Sequence, residues 1–428
     1  MSDATDQGKV NSLTANSTVN TGGGPYIEGK VTIGDGDFVG RDKNVINNIV
    51  NLIQQASSAV EELEKQNKVE TRRLAQGVIN FAGRLKKSAS NGGDAATVYK
   101  GLLEYGLADA DRFFGRDEAG REFINKMKGG RLTVIQAESG AGKSSFLQAK
   151  ISPILIAAGH LPIYIRSYTD APHLDIKRAI LPHLDQNETL ESASLRDFML
   201  TVSGVLPHSR LYVILDQFED FFTKFDEKIR ANFVEQLEQC LADTSLDVHW
   251  VLSLRTEFFG RLAGYEPPLS PFDNQYLLSS LKREEAKDAI VKPAASHGVV
   301  FEEGLVDTIP DELTLNERDG DLVAPPQLQL VCSALYDRLD GAMAITRDHY
   351  QSLGGVTGIS SYLENVMRKL PEDERAVVRK LLKALIDSNK QRAQRTREEL
   401  TNDPGLRGVQ SETIDKALGR WLRAAFFA

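Results

Sequence analysis

The stretch AESGAGKSS, Ala137 to Ser145, decides how this chain is read. A small residue opens it, four positions follow, and then come Gly142, Lys143 and Ser144, the spacing of a phosphate-binding loop. LTVIQ (132–136), an apolar run rich in β-branched residues, leads in, and SSFLQAKISPILIAAG, an amphipathic helical pattern, leads out. Gly140 and Gly142 let the backbone curl so that its N–H groups face inward. Ser139, Gly140, Ala141, Gly142, Lys143, Ser144 and Ser145 then form a cradle at a helix N-terminus, which suits a β-phosphate. Lys143 is expected to reach the β- and γ-phosphates, and the Ser144 hydroxyl to sit on Mg²⁺. The plainer reading is a glycine-rich turn with an exposed lysine.

Three more apolar runs follow: LPIYIRS (161–167), LYVILD (211–216) and VHWVLSL (248–254), with helical stretches between them. Strand alternating with helix is the pattern of a parallel sheet covered on both faces, so the fold class is α/β, of the phosphate-loop NTPase kind. Past about residue 280 the strands stop and amphipathic helices take over. The reading therefore places a nucleotide-binding domain at 96–278, a helical lid at 279–345 and a winged-helix-like domain at 346–428. The last is expected to be cut short, because RWLRAAFFA ends on Phe426 and Phe427, which would normally lead into more structure.

LYVILDQFEDFF (211–222) runs a buried strand into acids. Asp216 at the strand tip is placed to hold Mg²⁺ through its water shell. Polarising an attacking water needs an acid aimed at the γ-phosphate. Glu219 is the choice for that role, with Asp220 the alternative; acids in the first turn of a helix are also common for the macrodipole alone. The next strand ends in Arg255, where a cation could stabilise the γ-phosphate. The plainer reading pairs Arg255 with Glu257.

The whole chain sets outer limits. It has 428 residues, 41% hydrophobic and 26% charged, which is ordinary for a globular protein and long enough for several domains. A net charge of −9 argues against a protein that coats nucleic acid. Cys240 and Cys332 sit in apolar helical patterns and read as buried free thiols, which fits a reducing, cytoplasmic setting. No secretory signal and no run of 18 apolar residues occurs.

The N-terminal end is of another kind. Residues 1–20 are polar and of disordered composition. In 21–50, β-branched residues and Phe alternate with Gly, Asp and Asn, which reads as short strands and tight turns. FVGRDK (38–43) in this stretch nearly repeats FFGRDE (113–118). From Ile46 to about residue 88 the spacing is helical: Ile46, Ile49, Ile53, Ala56, Val60 and Leu63 form a seam. Asn67 and Glu70 interrupt it, and Leu74, Val78, Phe81 and Leu85 resume it in shifted phase. Such a stripe serves either self-association or packing on the chain's own domain. SASNGGDAA (88–96) reads as a flexible linker.

At these residues the chain resembles a STAND-class phosphate-loop NTPase, in the branch called novel STAND NTPase 1. VYKGLLEYGLADADRFFGRDEAGREF (98–123) is similar to that branch's entry segment. KISPIL after the loop, LDQFEDFF, LSLRTEFFGRLA, LKREEAKDAIVKPAASHGVVFEEGLVDTI and APPQLQLVCSAL resemble its later motifs, in order, so that 98–428 is covered. Ala137 and Glu257 depart from its usual Gly and Asp. No histidine of the C-terminal domain matches the one that reads the ADP phosphate in some relatives. The resemblance implies that Gly115 and Arg116 lie beside an adenine, that Phe114 lies over the purine, and that Pro325 or Pro326 closes its far side.

The function so implied is an ATP/ADP switch with Mg²⁺ as cofactor and slow hydrolysis. Self-association on ATP would crowd the N-terminal segments, in bacterial signalling, antiviral defence or programmed death. Residues 1–45 would then be an assembly segment. The resemblance to amyloid-type signalling motifs is loose, and a small hairpin or tail and a docking strand for a separate effector protein stand beside it. A transcription regulator using its C-terminal domain on DNA, through Lys390, Arg392, Arg395 and Arg397, is the alternative, diluted by Glu398, Glu399 and Asp403. A constitutive AAA-like motor is disfavoured, since no pore loop is visible.

Overall fold

The computed structural model describes residues 41–65, 68–90, 98–166, 168–267, 269–314, 322–355, 367–368, 370–385 and 397–426. Five parallel strands make the central sheet: β1 (Leu132–Ala137), β2 (Leu161–Ile165), β3 (Leu211–Leu215), β4 (Val248–Arg255) and β5 (Gln275–Leu277), in the order β2-β3-β4-β1-β5. β1 and β3 are buried along their whole length, as continuous apolar runs in a sheet covered on both faces should be. The α/β phosphate-loop architecture read from the sequence is the one observed. β5 is an addition: three residues with no apolar run, paired to β1 through Val134↔Gln275, and therefore invisible to periodicity.

Strand order has a consequence for the site. β4 lies between β1 and β3, so the phosphate loop and Asp216 hang from strands that are not neighbours. Register sets Ala137 opposite Arg255, which places that arginine between them.

The helical pattern at 46–88 resolves into two helices, α1 (Arg41–Lys65) and α2 (Val69–Ser90), packed together. The break in the seam falls where α1 ends at Lys65 and α2 begins at Val69. α1 also starts earlier than expected, so Arg41, Asp42 and Lys43 of FVGRDK form its first turn rather than a strand. Residues 1–40, with the rest of that hexamer, lie outside the described residues. Leu52, Ala56, Leu74, Ala75, Val78 and Phe81 join the same hydrophobic cluster as Val213, Leu252 and Phe198. The apolar stripe is thus covered by the chain's own domain. Asn48 Nδ2 donates to Ala157 O at 2.9 Å, and Arg84 donates to Ala179 O at 2.6 Å, fixing both helices to the sheet's helical cover.

A second cluster gathers Ala286, Ile290, Leu305, Ile309, Leu328, Val331 and Leu335 with Val98, Tyr99, Tyr350 and Leu353 from outside 279–345. Two short strand pairs lie within this region, Leu281–Lys282 with Leu322–Val323 and Val300–Phe301 with Ala344–Ile345. A third cluster, with Met367, Leu370, Val378, Leu381, Leu400, Leu406 and Ile414, holds helices Glu372–Ala384, Arg397–Thr401 and Ser411–Phe426 together. The two cysteines are free and buried, as expected. No described helix is long and apolar enough to cross a membrane.

Candidate nucleotide site

The phosphate loop leaves β1 and enters a helical run at Lys143. Gly140 and Gly142 both have φ of 88°, a left-handed backbone that glycine adopts without strain. A Cβ on Gly142 would meet nothing within 4 Å, and Ser139 to Ser145 all line a cavity. The first turn, Lys143–Ser145, passes into a π-helical turn at Phe146–Ile151 before α-helix resumes at Ser152. Lys143 Nζ rests on Ala137 O at 3.0 Å. Burial lowers its pKa, and the carboxylates of Glu219, Asp216 and Glu257 oppose that fall.

Asp216 is the hub of the site. It is fully buried just beyond β3. Its Oδ2 accepts from Ser144 Oγ at 2.5 Å and from the Tyr164 hydroxyl at 2.6 Å, and its Oδ1 accepts from Ser253 Oγ at 2.6 Å. Its carbonyl accepts from the Tyr168 hydroxyl at 2.9 Å, and its N–H donates to Ile165 O. Tyr164, Tyr168 and Ser253 were not singled out in the sequence. Tyr164 and Ser253 look like ordinary alternating strand residues, and only the pairing of β2 and β4 with β3 brings them to the carboxylate, while Tyr168 lies just beyond the end of β2.

Glu219 and Asp220 part company here. Glu219 lines the cavity beside Lys143 and Arg255, with Oε2 buried and without a partner, while Oε1 accepts from Arg255 Nε at 3.2 Å. Burial raises its carboxyl above the usual carboxylate range. Asp220 does not line the cavity and pairs with Lys224 at 2.7 Å. Arg255 reaches both ways, to Glu219 and, at 2.9 Å, to Glu257.

The cavity around these groups measures about 870 Å³. Phe114, Arg116, Ser139 to Ser145, Asp216, Glu219, Arg255 and Pro326 all line it, so the structure brings the sequence's candidates together. Gly115 is their neighbour, buried where the entry segment touches the lid. With φ of 80°, a Cβ on it would stand 2.2 Å from Glu285 O. Arg116 donates to Ala141 O at 2.9 Å, so this arginine braces the phosphate loop. Pro325 and Pro326 both line the cavity, and Pro326 Cγ lies 3.5 Å from where a Gly140 Cβ would be.

Two contributions were missed. Tyr105 donates its backbone N–H to Ser145 Oγ at 3.1 Å and its hydroxyl to Gln329 Oε1 at 2.6 Å, linking phosphate loop, entry segment and lid. Leu381, Leu385, Leu400 and Leu418 line the cavity from the C-terminal helices. No histidine lines it among the described residues. The basic run at Lys390, Arg392 and Arg395 lies outside the described residues, as does the side chain of Arg397.

The fold and this arrangement of loop, acid and arginine define a phosphate-loop nucleoside triphosphatase. The family model Novel STAND NTPase 1 matches residues 99–424, and the chain belongs to that family. Curated proteins give no match. Among solved structures, the ADP form of the Aeropyrum pernix ORC2 protein is 12% identical, with 72% of this chain and 93% of that chain covered and a TM-score of 0.42. A Walker-type ATPase of Pyrococcus abyssi is 14% identical, covering 76% and 92%, also at 0.42. Cdc6p from Pyrobaculum aerophilum is 14% identical, covering 72% and 85%, at 0.41.

Proposed function

We propose that this cavity binds ATP or ADP with Mg²⁺ and that the chain is a nucleotide-controlled signalling switch. The observation that carries the reading is the make-up of the cavity wall. Lys143 and Asp216 of the sheet domain, Pro326 of the lid and Leu381 of the C-terminal helices face one space, although they are far apart in sequence. A ligand held there bears on all three parts at once, so exchanging it alters how they close.

The residues fit the group. Ser144 and Asp216 are the metal's holders, and Mg²⁺ there would neutralise charge on the β- and γ-phosphate oxygens. Lys143 sets its ammonium against the same oxygens. Glu219, with Oε2 unpartnered, orients a water towards the γ-phosphorus and takes its proton as the β–γ bridge breaks. Arg255 holds the other oxygen of Glu219 and fixes its aim. Gly115, Arg116 and Phe114, with Pro326, form the side on which the base would lie.

In this reading ADP keeps the C-terminal helices against the cavity, ATP lets them swing away, and the exposed surfaces then associate. Association raises the local concentration of the N-terminal segments, which recruit an effector or assemble. Slow hydrolysis resets the switch. The setting is the cytoplasm, in bacterial defence or stress signalling. The test is native mass in ADP and in an ATP analogue with Mg²⁺. A larger species only with the analogue is expected; a monomer under every condition overturns the switch.

A further inference from the structure

Of the cavity's arginines, Arg166 has the most open side chain: 38% exposed, against 16% for Arg255, 6% for Arg112 and 5% for Arg116. It follows the last residue of β2 and pairs with Glu104 of the entry segment, which is itself 36% exposed. With the Gln217 amide oxygen turned towards it, Arg166 also donates there from Nε at 3.2 Å and from Nη2 at 2.9 Å. Glu104 and Gln217 line the same cavity as Lys143 and Glu219. Gln217 has φ of 53°, a left-handed backbone uncommon outside glycine, and it sits between Asp216 and Glu219 in the acidic turn. The C-terminal helices face the cavity with leucines, so among the described residues they bring no charge to a phosphate.

We propose that Arg166 reads the terminal phosphate of a bound nucleoside triphosphate, and that Glu104 holds it aside until that phosphate arrives. This rests on the nucleotide reading of the cavity given above. The planar guanidinium fork fits two phosphate oxygens as well as it fits a carboxylate, and a phosphate carries more charge. A half-exposed arginine–carboxylate pair is weakly held, so the exchange is an easy one. A diphosphate has no such group to offer and leaves the pair closed. Two parts respond when Arg166 turns. Gln217 loses its anchor, which resets the strained turn that carries Glu219. Glu104 is freed next to Tyr105, the residue that ties Ser145 to Gln329 of the lid.

Calorimetry on the full chain tests this, with ADP and a non-hydrolysable ATP analogue, each with Mg²⁺. Arg166→Gln should weaken the analogue about tenfold while ADP stays within about twofold. Glu104→Gln should move the ratio the other way, favouring the analogue. If Arg166→Gln does not fold, Glu104→Gln decides the matter alone. Equal changes for the two nucleotides, or none, overturn the role of Arg166. Lys143→Ala, measured alongside, separates the two levels: wild-type binding of both nucleotides in that variant sinks the nucleotide site itself.

Discussion

The hydroxyl of Tyr164 donates to Asp216 Oδ2 at 2.6 Å, on the same oxygen that receives Ser144 Oγ at 2.5 Å. The proposed metal-holding carboxylate is therefore oriented from β2 as well as from the phosphate loop. Tyr164→Phe removes one donor and keeps the ring. Magnesium dependence of turnover should shift to higher Mg²⁺, by about three- to tenfold, with nucleotide affinity in chelator unchanged. An unchanged Mg²⁺ titration would show that the tyrosine only packs.

Glu219→Gln keeps the shape and removes the proposed base. Turnover should fall by about two to four orders of magnitude while nucleotide still binds, and Asp220→Asn should have a much smaller effect. Burial raises the Glu219 carboxyl, so the proton-free form needed for catalysis is lost as pH falls through that raised value. The acidic limb of the pH–rate profile should lie above the ordinary glutamate range and vanish in Glu219→Gln.

Gly115 has the most tightly limited backbone in the entry segment. Any Cβ there meets Glu285 O at 2.2 Å in a left-handed conformation. Gly115→Ala should push the lid helix Arg283–Ala295 outward, lower stability by about 1–3 kcal/mol and weaken nucleotide binding. Thermal melts with and without nucleotide check both parts.

The α1–α2 hairpin is part of the domain core. Leu74→Ala should destabilise the whole nucleotide-binding unit by about 2–5 kcal/mol, seen as one lowered transition in denaturant. A separate, low-stability transition for the hairpin would contradict this packing.

Lys177 is fully buried, and its ammonium donates to the carbonyls of Leu190, Glu191 and Ala193. Burial lowers its pKa from 10.5 to about 8. Between those values the unfolded chain binds more protons, so stability gains as pH rises through that window and the gain is lost as pH falls back to about 8. Lys177→Met should flatten this slope in urea unfolding measured from about pH 7 to 10.

The sequence by itself determined much of this protein. A phosphate loop is a local object: Gly140, Gly142, Lys143 and Ser144 act through their own backbone and a few bonds of reach, so spacing alone reveals them. Four of the five sheet strands carry their burial in consecutive apolar letters, and Asp216 is marked because it ends one of them. The helical pattern between 46 and 88 showed an apolar stripe but not what covers it, since a stripe has the same period against a second copy as against its own domain. β5 was missed because three residues held by backbone pairing need no apolar run.

Only the tertiary structure decided the rest. Strand order put Tyr164 and Ser253 on Asp216 and set Arg255 between the loop and the acids. Chain folding over hundreds of residues brought Pro326 and Leu381 to the cavity, and folding over 62 residues set Glu104 on Arg166. These are relations between distant residues, fixed by which surfaces are buried together, and no local pattern of letters encodes them.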